Sequence, residues 1–245
     1  MFSNTASFRP AVALAMLLAG AALLRPLGDQ LNLRAVAGSM HPEQWGALAG
    51  RGGLLAVLGG LRAPLAGGFW LRANLAWEHR DPVATREWVG LAVAADERPL
   101  GFWLNGARML AYDFPAWELR EPVPAAVRQR AVERSAGEAL RFLELGRRWH
   151  GEAAALWIEM GNLHLRRTGN LEAAARCYRR AAELPDAPYY AARIHGELLR
   201  RLGRPRAALE WLREIVRRLP ADDPAAARGV VEARIRDLER ELATR

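Results

Sequence analysis

Five histidines (His41, His79, His150, His164 and His195) and one thiol, Cys177, are the side chains of this 245-residue chain with the most chemistry to offer. No two of the histidines stand at the spacing that places ligands on one helix face, and neither H-E-x-x-H nor C-x-x-C occurs. Serine appears only at 3, 7, 39 and 135, never inside a G-x-S-x-G elbow. All 35 basic residues of the Lys and Arg class are arginine, which excludes a phosphate-loop lysine, a Schiff-base lysine and a kinase-type lysine. The glycine pairs at 59–60 and 67–68 match neither G-x-G-x-x-G nor G-x-x-x-x-G-K-[ST], and read as close backbone packing. Cys177 falls among packing positions, so it reads as a core thiol, and a single cysteine rules out an internal disulfide. No metal, no cofactor and no catalytic residue is expected, and the chain does not read as an enzyme.

The spacing of the remaining residues points to repeated elements rather than a reaction centre. Leu165, Arg166, Arg167, Gly169, Ala173, Ala174 and Arg179 return as Leu199, Arg200, Arg201, Gly203, Ala207, Ala208 and Arg213, a lag of 34 residues that matches one helix-turn-helix hairpin. Tyr178 and Ala181 are answered by the apolar Leu212 and Ile215. Gly169 and Gly203 mark where a first helix stops, Ala174 and Ala208 allow close approach of paired helices, and Tyr178 and Leu212 fill the space between hairpins. One irregularity stands out: Gly161 and Gly169 are eight apart, whereas Gly196 and Gly203 are seven apart.

Trp157, Gly161, Gly169, Ala174, Tyr178 and Ala181, followed by Gly196, Gly203, Ala208, Leu212 and Pro220, resemble the signature of tetratricopeptide repeats. The stretch from Leu58 through Ala73, continuing to Ala111, Tyr112 and Asp113, resembles membrane-anchored bacterial members of that class. The resemblance implies an all-α, TPR-like solenoid of helical hairpins preceded by an N-terminal transmembrane or signal helix. It divides the chain into an anchor (1–28), a linker with an apolar glycine-rich segment (29–62), degenerate hairpins with an insertion at 113–124 (63–148), two repeats (149–220) and a capping helix (221–245).

The residues themselves support several of these boundaries. Residues 11–24 are uninterruptedly apolar or glycine and span roughly 21 Å as a helix, against roughly 30 Å of bilayer hydrocarbon. Either Arg9 and Arg25 snorkel at the ends of a short anchor, or Ala19-Gly20-Ala21 is a signal-peptidase site. The anchor is favoured because the apolar run continues through Leu23 and Leu24. A short N-terminal tail usually stays cytoplasmic, which expects the soluble part in the periplasm, beyond a bacterial inner membrane. Helical patterning runs from Ala63 through Trp70, Ala73, Asn74 and Trp77 to Asp81-Pro82, where Asp can cap and Pro can open the next helix, about 82–95. Phe114-Pro115 and Pro122, Pro124 are expected to break the second hairpin. Helix resumes at about 125–148, and a final helix at 224–243 carries Val230, Val231, Ile235, Leu238 and Leu242 on one face.

The net charge of +8 comes with Arg and Glu alternating along helices, the pattern of a solvated face, so no nucleic-acid partner is expected. The nine tryptophans read mostly as hairpin core. Stacked hairpins of the resembled class line a concave side with their first helices, and such grooves take peptides or partner helices. In that register the candidate peptide groove comprises Ile158, Asn162 and Arg166, then Arg193, Glu197 and Arg200. An alternative makes Arg166-Arg167 and Arg200-Arg201 solvated helix ends suited to the C-terminal dipole. The functional expectation is a membrane-tethered scaffold for a protein or peptide partner, within an envelope assembly or export complex. The rival is an enzyme or small-ligand module built on the irregular 26–62 and 113–124 segments.

Overall fold

Pro82 opens a helix that Asp81 caps: its Oδ1 accepts from the Val83 amide at 3.1 Å and the Ala84 amide at 2.9 Å. That start, and the stop before Asp96, are where the sequence places them. The computed structural model describes residues 62–119 and 122–244, and among the described residues every element is helical. The apolar run 11–24, the 29–61 linker and their assignments lie outside the described residues. None of the described helices is long and apolar enough to cross a membrane.

The first pair is α1 (Arg62–Glu78) and α2 (Pro82–Ala95), which pack against each other. Next come α3 (Leu100–Arg108), a widened π turn (Met109–Asp113) and α4 (Phe114–Glu118), which run on without a break. The expected break at Phe114-Pro115 is therefore corrected: helix continues to Glu118. Proline lacks an N–H to give to the ladder, and Pro115 stands just after the turn in which the Phe114 amide reaches back to Met109. At that step the hydrogen-bond register is already shifting, so the missing donor costs little. α5 (Ala125–His150) packs on α3 and the π turn. Its Gly146 lets the Trp103 ring lie against the backbone, since a Cβ there would come within 2.7 Å of the indole.

The C-terminal half alternates helices with bends. α6 (Ala154–Leu163) ends in a second π turn (His164–Thr168), Gly169 turns the chain at φ 67°, and α7 (Leu171–Ala182) follows, capped by Asn170. α8 (Tyr189–Arg201) ends near Gly203 at φ 73°, and α9 (Pro205–Arg218) follows. Both glycines occupy the left-handed region that a side-chain-bearing residue enters only at a cost. A short 3-10 turn (Pro224–Ala226) leads to α10 (Arg228–Ala243). From α6 to α10 each helix packs chiefly on its neighbours in sequence.

The unequal glycine spacing has a structural cause. After Gly169 the Asn170 amide reaches back to the carbonyl of His164, whereas after Gly203 the Arg204 amide reaches back only to Leu199. The π turn takes up the one extra residue, so both hairpins still close alike. Gly161 then lies under Tyr178, where an added Cβ would stand 2.9 Å from the ring, and Gly196 lies under Leu212, where it would stand 2.8 Å from Cδ2. Ala174 and Ala208 are fully buried beside them. On α10, Val231 and Leu238 are buried, but Val230 is 64% exposed, which corrects its expected place on the packed face.

Candidate functional site

α3, α6 and α8 each carry polar or charged side chains among their apolar ones. Glu159 on α6 is 3% exposed, and both Nε (3.0 Å) and Nη2 (2.7 Å) of Arg108 on α3 donate to its Oε2. A carboxylate so buried needs a partner, and Arg108 supplies a charge-assisted one. Arg167 lies over the ring of Tyr112, 4.8 Å from its centroid, joining the two π turns. Burial pushes the Tyr112 hydroxyl above its ordinary pKa, with Glu159 adding to the rise and Arg166, Arg167 and Arg108 opposing it.

The six sequence-predicted groove residues separate into two groups. Ile158 is 7% exposed and belongs to the core under the following hairpin, so it offers no contact surface. Asn162 is half-buried, and its Oδ1 accepts from the Tyr178 hydroxyl at 2.7 Å. Burial is the main reason the Tyr178 pKa rises to about 12, so the phenol stays a donor. Arg166 is exposed on the second π turn and lies near enough to Tyr112 and Tyr178 to influence both.

Arg193, Glu197 and Arg200 come together on α8. Arg193 stands at the repeat position of Ile158, but its neighbour is the turn before α10 rather than another hairpin. Its Nη1 therefore donates to the carbonyl of Ala226 at 3.0 Å. Glu197 accepts from Arg200 at 2.6 Å and lies 3.8 Å from Arg234 of α10. The Arg200 hydrogen bond, more than any other influence, holds the Glu197 carboxyl below the ordinary carboxylate pKa. Beside this cluster, between α8 and α10, is a cavity of about 300 Å³. Tyr190, Ile194, Val230 and Arg234 line it together with Arg193 and Glu197. Sequence reasoning missed Arg108, Glu159, Tyr190 and Arg234. A charged residue among the apolar residues of α6 was the available signal for Glu159; the others had none, because their partners are distant in the chain.

A second cleft of about 260 Å³ lies between α1 and α3, bordered by Trp70, Asn74, Trp77, Asn105, Arg108 and Asp113. There Trp77 Nε1 donates to Asp113 Oδ2 at 2.8 Å. The buried Cys177 thiol is pushed up to about 11, chiefly by burial, and stays protonated at neutral pH. His195 donates from Nδ1 to the Ala175 carbonyl at 2.9 Å and meets the Trp211 ring edge-on, as a packed and satisfied side chain does. Among the described residues no group of three His, Cys, Asp or Glu side chains is placed to hold a metal ion. Compared with known proteins, no family model matches the chain, and no curated protein matches it significantly.

Proposed function

We propose that this chain is a tetratricopeptide-type stack of helical hairpins acting as a protein-interaction scaffold. In this reading residues 1–28 tether it to a bacterial inner membrane, the soluble part faces the periplasm, and the partner belongs to an envelope assembly or export complex. The observation that carries the reading is the repeated lock of Gly161 under Tyr178 and Gly196 under Leu212. Two hairpins built on one packing rule bring corresponding positions of their first helices to one side of the stack, and the polar residues left there are candidates for recognition. That side holds Arg166 on the α6 hairpin and Arg193, Glu197 and Arg200 on α8, arginine-rich chemistry suited to peptide carboxylates and backbone carbonyls.

Photo-crosslinking from the anchored protein tests this. A photoreactive side chain at Arg166 or Val230 is expected to capture a discrete protein, and the same group at Arg179 on α7 is not. Equal capture from all three positions, or only a small molecule recovered, would remove the scaffold reading. The second reading, a small-ligand module, is favoured by the cleft at Trp70, Asn74 and Asp113, which touches the start of the 113–124 stretch. It expects Asn74→Ala, rather than changes on α8, to abolish binding.

A further inference from the structure

The cavity between α8 and α10 joins an apolar floor to a basic rim. Ile194, Leu212, Val230 and Val231 form the floor, and the 64% exposure of Val230 leaves it open to a visitor. Arg193 and Arg234 stand in the wall, and Arg200 adjoins through Glu197. Glu197 is the one carboxylate in that wall, and arginines already engage it. Arg193 and Arg234 against the single carboxylate of Glu197 leave the cavity lining net positive. A volume of about 300 Å³ is at the lower end for ligand pockets and suits a single large side chain.

We propose that this cavity seats one bulky apolar side chain, aromatic or branched aliphatic, from a partner polypeptide whose flanking residues are acidic. The apolar anchor takes the floor, and the flanking carboxylates meet Arg234, Arg200 and the free edge of Arg193. This rests on the scaffold reading above and adds the chemistry of the partner and the place where it docks. Anchors of this kind carry most of an interface's affinity, while rim charges set the choice of partner and the rate of encounter.

The test uses the full chain in mild detergent and a fluorescein-labelled, end-capped peptide of sequence Asp-Glu-Phe-Glu-Asp, read by fluorescence anisotropy. Replacing the central Phe by Ala is expected to weaken binding roughly tenfold, since the apolar burial is lost. Replacing the four acidic residues by Lys is expected to weaken it at least as much, by repulsion. On the protein, Arg234→Glu and Val230→Asp should each weaken binding by roughly tenfold. Both side chains are exposed, so circular dichroism should be unchanged, whereas Arg179→Glu, at an exposed position on α7 away from this face, should leave binding within about twofold. Equal binding of the Phe and Ala peptides would overturn the proposal. Binding lost in Arg166→Glu but kept in Arg234→Glu would also overturn it, while leaving a peptide-binding face in place elsewhere. Self-association abolished by Val230→Asp, with no peptide binding, would assign the cavity to a second copy and overturn it too.

Discussion

Gly161→Ala and Gly196→Ala add the same methyl group at equivalent places, and the structure expects different outcomes. An alanine inside a helix is favoured over glycine by about 1 kcal/mol. Against that gain stands overpacking, typically about 1–3 kcal/mol. At Gly161 the new Cβ meets the Tyr178 ring at 2.9 Å at two ring atoms, and the ring is 1% exposed with its hydroxyl tied to Asn162. The ring has nowhere to go, so a net loss of up to about 2 kcal/mol is expected once helix propensity is credited. At Gly196 the new Cβ meets Leu212 Cδ2 at 2.8 Å, and Leu212 borders the 300 Å³ cavity into which its branched end can rotate. There the two effects nearly cancel. Gly137→Ala on α5 is the control, since its Cβ would meet only Arg141 Nη1 at an ordinary 3.6 Å, and it should stabilise by up to about 1 kcal/mol. Urea titrations followed by circular dichroism rank the three. If Gly161→Ala stabilises as much as Gly137→Ala, the tight packing of Tyr178 on α6 is wrong.

Three further expectations follow from the buried polar groups. Arg108→Ala strands the Glu159 carboxylate, which is 3% exposed; because Arg108 is itself half-exposed, the loss should be about 2 kcal/mol rather than the full figure for a wholly buried pair. Adding Glu159→Gln should recover part of it, and a double mutant that is simply additive would refute the coupling. His195 and His164 both have pKa values lowered from 6.5, mainly by burial. The unfolded chain then binds protons first as pH falls, so stability is complete above about pH 6.5 and declines below it, a trend that His195→Gln should reduce. A urea midpoint that rises on acidification from pH 7.5 to 5.5 would contradict this. Cys177, with its thiol pushed up to about 11, should react with a disulfide reagent roughly a hundredfold more slowly in the folded chain than in urea. Rapid labelling of folded protein would refute its burial.

Local signals with a strict backbone meaning were readable in advance. Gly169 and Gly203 mark bends because their φ is positive, and Asp81-Pro82 marks a helix start because each residue fits one capping position. The 34-residue lag was readable because the hairpins repeat one packing rule, glycine against a large side chain. The π turns were not readable, since widening a helix by one residue demands no particular side chain; only the unequal glycine spacing hinted at the second. For the same reason Phe114-Pro115 reads as a breaker, although the preceding turn accommodates it. Ile158 and Arg193 occupy one repeat position, but what covers each depends on the next element, a hairpin in one case and a turn carbonyl in the other. Helical periodicity gives a face without naming its neighbour. Val230 shows the same gap, since the apolar stripe of α10 is wider than the surface it packs on.

The central claim, that hairpins here form a serial stack rather than one closed core, is tested most directly by hydrogen exchange on a Leu212→Ala variant. Leu212 is 3% exposed in the C-terminal cluster, and its truncation should cost about 2–4 kcal/mol. In a serial stack the loss of amide protection concentrates in α8, α9 and α10 and fades through α7, leaving α1 to α5 unchanged. A uniform loss of protection from α1 to α10 would mean a single cooperative bundle and would contradict the account.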